Sequence, residues 1–110
     1  STFSSPTMSP KCPEESKYKL VEKIEEIFQH KKKNNETVAG QKILSILTVN
    51  GVRIHLEDGS WGLVRASSNS PNLVVVCEST ISEERMKEIF NDLNNELMKF
   101  NEIGEYDQKI

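Results

Sequence analysis

The pattern of hydrophobic and polar residues divides the chain into two helical segments with a run of strands between them. From Pro13 to about His30, apolar residues recur every three or four positions, which predicts an amphipathic helix of about four turns. A second such helix follows Ser82, an N-cap residue with Glu83 and Glu84 in the first turn after it. The first apolar stripe consists of Tyr18, Leu20, Val21, Ile24, Ile27 and Phe28, and the second of Met86, Ile89, Phe90, Leu93 and Leu97. Both stripes are predicted to face the core.

The residues between the two helices alternate as strands do. An apolar run over residues 43–49 ends at Asn50-Gly51, a dipeptide typical of a type I′ hairpin turn. Residues 52–56 then alternate between apolar and polar, and apolar runs over Trp61–Arg65 and Asn72–Glu78 predict a third and a fourth strand. The order helix, four strands, helix predicts an α+β fold in which two helices pack on one face of a four-stranded antiparallel sheet.

Three segments show neither pattern. Residues 1–10 are rich in proline, serine and threonine, and we interpret them as a linker or hinge from a preceding domain that is absent from this chain. Thr7–Cys12 is the part that would fit a fifth, edge strand. Lys31–Gly40 is predicted to be a mobile polar connection, and residues 101–110 a polar tail that frays. The folded domain is therefore placed at residues 11–100, and the missing initiator methionine indicates an excised piece of a longer protein.

Composition and charge narrow the class of protein. The 110 residues suffice for one domain with a modest core, and the net charge of −3 argues against a nucleic acid or a membrane surface as partner. No apolar run approaches the ~20 residues of a membrane span. Cys12 and Cys77 have no cluster of histidines near them and make no metal signature, while a disulfide between them stays open. A reducing, cytoplasmic location is expected.

The stretch from Arg65 to Pro71 concentrates the usable chemistry of the chain. Arg65 ends a strand and offers a planar fork of donors that suits two phosphate oxygens at once. The four residues after Ala66 add hydroxyl and amide donors, and a tight turn of backbone N–H groups can surround an anion. The predicted anion-binding residues are Arg65, Ser67, Ser68, Asn69 and Ser70. The competing interpretation is an ordinary strand connection, since such turns are commonly rich in Ser, Asn and Pro.

Residues for covalent or acid–base catalysis are missing. The two histidines, His30 and His55, lie on predicted polar positions with no serine or cysteine nucleophile set against them. The chain also lacks a glycine-rich nucleotide loop and a cluster of metal-ligating residues. We therefore expect that this chain by itself catalyses no reaction.

Residues Val52–Pro71, with the sequence VRIHLEDGSWGLVRASSNSP, resemble the phosphate-binding segment of the C-terminal domain of α-D-phosphohexomutases, and most of all that of the phosphomannomutase/phosphoglucomutase branch. That family carries a Gly-Trp-Gly-Leu-Val-Arg-Ala-Ser-Asn-Thr-x-Pro pattern. Phe3–Pro6 is similar to the junction between the family's third and fourth domains, and Lys17–Glu22 to the helix that follows. The resemblance covers nearly the whole chain and implies the TBP-like fold of that domain.

The resemblance also implies an activity for the parent protein, the interconversion of hexose 1-phosphate and hexose 6-phosphate through a hexose 1,6-bisphosphate. It places a phosphoserine and Mg²⁺ in preceding domains, so that this domain is expected to bind no cofactor and to supply no catalytic residue. The implied role of the domain is to clamp the phosphate that is not reacting and to close the active-site cleft. Its partners are then phosphosugars and the preceding domains of the same chain.

Residue by residue, Arg65 matches the family's phosphate-binding arginine and Ser67 the serine that follows it. Ser68 and Asn69 stand where the family has Asn and Thr, and Ser70 occupies a variable position. This departure leaves a second hypothesis, a non-enzymatic interaction module with the same fold. The glycine that phosphoglucosamine mutases carry in this loop is absent, which argues against that branch. A C-terminal domain of a phosphoglucosamine mutase or of another phosphohexomutase remains an alternative.

Overall fold

The computed structural model describes all residues from Ser1 to Ile110 and contains one antiparallel sheet with two helices. The elements in chain order are β1 (Phe3–Ser4), α1 (Lys17–Lys33), β2 (Thr37–Val38), β3 (Gln41–Leu47), β4 (Val52–Leu56), β5 (Trp61–Ala66), β6 (Leu73–Ser79) and α2 (Glu83–Leu97). The sheet has the strand order β1-β6-β5-β4-β3-β2. The α+β class is confirmed, and β3 to β6 are the four predicted strands.

The sheet has six strands, so the prediction of four with one optional edge strand is wrong in detail. At one edge, Ala39 and Gly40 have positive φ angles of 50° and 75° and join β2 to β3 in a two-residue hairpin. The sequence does not predict this turn, because alanine rarely adopts a positive φ. Residues 37–38, expected in a mobile connection, therefore form a strand.

At the other edge, β1 lies earlier than the predicted Thr7–Cys12 strand. Phe3 and Ser4 pair with β6, whereas Met8 and Lys11 make only isolated bridges to Val75 and Asn72. The intervening Pro6 and Pro10 have no N–H to donate to a ladder, which explains why the pairing is interrupted. Whether residues 1–10 serve as a linker from a preceding domain stays a prediction.

Helix α1 begins and ends later than predicted, and its buried face is rotated. Tyr18, predicted to be in the core, is 58% exposed, and Ile27 is only half-buried. The centre of the buried stripe follows Leu20, Ile24 and Phe28, and the residue that precedes them on this face is Lys17. The last turn contains Lys31–Lys33 and complements the helix dipole.

Both helices cover the same face of the sheet. Helix α1 packs on β3, β4 and β5, and α2 packs on β5, β6 and β1. Gly62 allows the closest approach, since a Cβ atom there would lie 2.7 Å from Leu93 Cδ1 of α2. Helix α2 begins as predicted, with the Ser82 hydroxyl accepting a hydrogen bond from the Arg85 N–H at 3.0 Å. Neither helix is long and apolar enough to cross a membrane.

Both cysteines are free and buried in the core, so no disulfide joins them. Burial raises the pKa of the Cys77 thiol to about 12, which keeps it protonated at neutral pH. Cys77 therefore behaves as a small buried apolar residue.

The C-terminal segment is packed against the domain, contrary to the expectation of a frayed tail. Ile103 is buried, and the Tyr106 ring meets Phe90 edge-on with their centroids 5.6 Å apart. The Tyr106 hydroxyl donates a hydrogen bond of 2.7 Å to Asn94 Oδ1 on α2. Three apolar side chains in a mostly polar segment (Ile103, Tyr106 and Ile110) reach the core cluster and hold the segment in place.

Candidate anion-binding site

The predicted loop joins β5 to β6 at one rim of the sheet and is closed by its own backbone. The Ser67 N–H donates to the Asn72 carbonyl at 2.9 Å, and the Asn72 N–H donates to the Ser70 carbonyl at 2.8 Å. Residues 67–72 therefore form a tight turn supported by two buried strands. An exposed loop on a rigid sheet is a common location for a binding site.

The turn between β3 and β4 lies directly beside this loop. Asn50 and Gly51 have the positive φ angles that the dipeptide predicts, 58° and 108°, but the strand pairing ends at Leu47 and Arg53, so the connection is longer than the predicted two-residue type I′ turn. A Cβ atom on Gly51 would lie 2.5 Å from the Val64 carbonyl oxygen and 2.5 Å from Arg65 Cβ. The absence of a side chain at Gly51 thus lets the turn pass against the base of the Arg65 side chain.

Arg65 has a guanidinium group without a strong partner in the chain. Its one hydrogen bond is long, 3.5 Å from Nη1 to the Ala66 carbonyl, and no carboxylate lies within ion-pair distance of it. The other two arginines are engaged, because Arg53 stacks on Trp61 with Cζ 4.0 Å from the ring centroid and Arg85 pairs with Asp58 and Glu88. Arg65 is therefore the arginine available to an anion.

The four polar loop residues divide into two groups. The Ser67 hydroxyl is buried and bonds to the Ser70 hydroxyl at 2.9 Å and to Asn69 Oδ1 at 3.3 Å. The exposed Ser68 hydroxyl and the Asn69 side-chain N–H₂ group have no partner. The backbone N–H groups of Ser68, Asn69 and Ser70 also donate no hydrogen bond within the chain. Ser67 and Ser70 therefore shape the loop, and the free donors belong to its outer part.

A cavity of about 580 Å³ opens between the loop, the β3–β4 turn and the first half of α1. Arg65 and Ser68 line one side of it, and Tyr18, Glu22 and Glu25 of α1 line the other. Neither glutamate takes part in an ion pair. A volume in the range typical of small-molecule sites thus combines one cationic wall with one acidic wall.

Lys17 is the residue near the loop that the sequence interpretation left out of the site. Its side chain is fully buried, and its ammonium group contacts the Ser70 carbonyl at 3.0 Å and the Glu14 carboxylate at 2.9 Å. The signal was present in the sequence, because a lysine in register with Leu20, Ile24 and Phe28 is directed toward the core.

The remaining polar clusters offer no catalytic arrangement. His30 bonds to Asn34 at the end of α1, and His55 lies on the sheet face opposite the helices, where burial and then Arg53 lower its pKa. No group of three or more His, Cys, Asp or Glu side chains is placed to hold a metal ion. The loop itself offers an anion one unpaired guanidinium group together with free hydroxyl, amide and backbone N–H donors.

The chain is similar in sequence to known proteins over most of its length. Residues 10–96 match the family described as phosphoglucomutase/phosphomannomutase, C-terminal domain. A phosphopentomutase of Thermococcus kodakarensis is 37% identical over 79 residues, which are 72% of this chain and 16% of that protein. A phosphomannomutase/phosphoglucomutase of Pseudomonas aeruginosa is 33% identical over 94 residues, 84% of this chain and 18% of that protein. The chain thus spans less than a fifth of the length of these curated relatives.

A solved structure shares the fold. A phosphoglucomutase/phosphomannomutase family protein from Burkholderia thailandensis superimposes with a TM-score of 0.63 over 90% of this chain and 18% of its own. The sequence identity is 22%, so this likeness concerns the architecture of sheet and helices.

Proposed function

Because the chain belongs to the phosphoglucomutase/phosphomannomutase family, as a copy of its C-terminal domain, we propose that its β5–β6 loop binds the phosphate group of a sugar phosphate. The observation that carries the proposal is the unpaired Arg65 guanidinium beside a turn with free hydroxyl, amide and backbone donors. Arg65 supplies charge-assisted hydrogen bonds to two phosphate oxygens, and Ser68 and Asn69 fix the orientation of the third. Ser67 and Ser70 keep the turn in the shape that presents these donors.

In the parent protein, the domain clamps the phosphate that is not being transferred. The transfer interconverts hexose 1-phosphate and hexose 6-phosphate, and Mg²⁺ and the phosphorylated serine belong to other domains. Binding energy gained at the remote phosphate positions the reacting end of the sugar, which lowers the barrier of the chemical step. The isolated chain binds but does not catalyse, because it holds no nucleophile set against a base.

A titration of the ¹⁵N-labelled chain with glucose 1-phosphate tests the proposal, with glucose as the control. We expect the amide signals of residues 65–70 to shift when glucose 1-phosphate is added and to stay unchanged when glucose is added. The dissociation constant should be about millimolar, because a single phosphate contact supplies only ~4 kcal/mol. Unchanged loop signals at tens of millimolar ligand would overturn the assignment and favour an interaction module with the same fold.

The relative named phosphopentomutase supports a second candidate substrate class, the pentose phosphates. A domain that grips only phosphate should bind ribose 1-phosphate and glucose 1-phosphate with similar affinity. The choice between a hexose and a pentose then depends on other parts of the parent protein, and it is decided by assaying mutase activity of that protein on both.

The two glutamates on the acidic wall of the cavity, Glu22 and Glu25, are expected to weaken phosphate binding. Replacing Glu22 or Glu25 by glutamine removes a negative charge that faces the phosphate site, so the affinity for glucose 1-phosphate should rise. Exposed charge pairs contribute about 0.2–1 kcal/mol, which corresponds to an increase of roughly 1.4- to 5-fold. Glu26→Gln is the matched control, since Glu26 lies on the same helix but lines a different cavity. Equal effects of all three variants in the same titration would contradict the placement of the phosphate.

A further inference from the structure

Lys17 occupies a position where an apolar residue would be expected. It lies on the core-facing side of α1, one turn before Leu20 and Val21, and none of its surface is exposed. Burying an ammonium group carries a large desolvation cost that is offset only by close partners. Replacement of a buried ion pair by apolar residues is often neutral or stabilising, so stability alone does not account for a lysine here.

The partners of Lys17 connect it to the anion-binding loop. The ammonium group bonds to the Ser70 carbonyl oxygen at 3.0 Å and to the Glu14 carboxylate at 3.0 and 2.9 Å. Glu14 is 63% exposed and can stay largely hydrated, whereas Ser70 is half-buried. Lys17 is the one charged side chain outside the loop that contacts the loop backbone.

The Ser70 carbonyl is the group whose direction matters for an anion. A carbonyl oxygen facing a phosphate would repel it, whereas N–H and O–H groups attract it. This oxygen accepts hydrogen bonds from the Asn72 N–H and from the ammonium group of the buried Lys17. The Ser70 hydroxyl then meets the Ser67 hydroxyl, and the Ser68, Asn69 and Ser70 N–H groups remain free.

We propose that Lys17 is a positioning residue for the phosphate loop: it fixes the Ser70 carbonyl on the inner side of the turn and adds a positive charge beneath the donors. This inference rests on the proposed function of the loop. According to this inference, α1 contributes to ligand affinity through Ser70. Lys17 itself does not contact the ligand.

The test compares Lys17→Met with Lys19→Met in the ¹⁵N titration with inorganic phosphate and with glucose 1-phosphate. Lys19 is an exposed lysine two residues further along the same helix, so its variant controls for the loss of one positive charge. We expect Lys17→Met to weaken binding by about tenfold, as the loss of a hydrogen bond from a charged donor would. The dissociation constant for Lys19→Met should change by less than about twofold.

Thermal unfolding of each variant separates positioning from a merely structural role. A structural role would lower the melting temperature of Lys17→Met and leave the dissociation constant of the folded protein at the wild-type value, which would overturn the inference. If Lys17→Met does not fold, Lys17→Gln replaces it as a polar variant without the charge, and wild-type affinity in that folded variant would equally count against the inference. If the proposed function of the loop is wrong, the result differs: the loop signals of the wild-type protein shift with neither inorganic phosphate nor glucose 1-phosphate.

Discussion

Replacing Arg65 by alanine is expected to abolish measurable binding of a sugar phosphate while leaving the domain folded. Hydrogen bonds to charged groups contribute about 1.5–3 kcal/mol, so the affinity should fall by roughly 10- to 150-fold. Starting from a millimolar dissociation constant, that loss moves binding out of the range of the titration. The free energy of unfolding should change by less than about 0.5 kcal/mol, because Arg65 makes only one long hydrogen bond within the chain.

Two further variants test whether the loss of binding is specific to the guanidinium group of Arg65. Arg65→Lys keeps the charge but not the planar fork, so we expect binding between that of the wild type and that of Arg65→Ala. Arg53→Ala removes an arginine that is stacked on Trp61 on the open sheet face, and it should leave the phosphate affinity unchanged. In the proposed parent mutase, Arg65→Ala should lose the activity. Wild-type affinity or wild-type turnover in that variant would remove Arg65 from the site.

Gly51→Ala is expected to be the most destabilising conservative substitution near the site. Its φ of 108° already strains an L-residue by about 1–3 kcal/mol. The added Cβ would also lie 2.5 Å from the Val64 carbonyl oxygen, a backbone atom that cannot rotate away. Together these costs should reach about 3 kcal/mol or more, a large part of the 5–15 kcal/mol that stabilises a typical domain. Denaturant unfolding measures the loss.

Gly40→Ala provides the matched control for Gly51→Ala. Gly40 also has a positive φ, 75°, and lies in a two-residue hairpin, but no atom lies within 4 Å of a Cβ built there. Its cost should be limited to the conformational strain of about 1–2 kcal/mol. If both variants lose the same stability, then the contact of the turn with β5 is not tight. If Gly51→Ala remains folded, displacement of Arg65 should also weaken phosphate binding.

The central part of the fold could be predicted because its physical signals are local. The alternation of Val52, Ile54 and Leu56 with polar residues fixes which face of β4 is buried, and Asn50-Gly51 specifies the turn before it. The two edge strands had no such signal. Strand β2 depends on a positive φ at Ala39, and β1 depends on pairing with a strand more than seventy positions away in sequence. Strands β1 and β2 can therefore be recognised only in the folded sheet.

The sequence predicts a candidate site to the level of residue types. The sequence identifies Arg65 and the polar loop, and the structure brings them together at one rim of the sheet. The sequence could not predict that the Ser67 hydroxyl bonds to the Ser70 hydroxyl, since nothing in a sequence specifies the partner of a hydroxyl group. Lys17 lies outside the predicted site for another reason: an apolar stripe that starts at Tyr18 predicts a buried face of α1 that differs by one position from the observed face.

The connection between the N-terminal segment and the loop has a mechanical consequence. Pro10 accepts a hydrogen bond from the Leu73 N–H, the Cys12 N–H donates to the Pro71 carbonyl, and Lys17 holds Ser70. These short bonds tie residues 10–17 to the exit of the loop at three successive points. We therefore expect a displacement of the chain near Pro10 to move the exit of the loop with it.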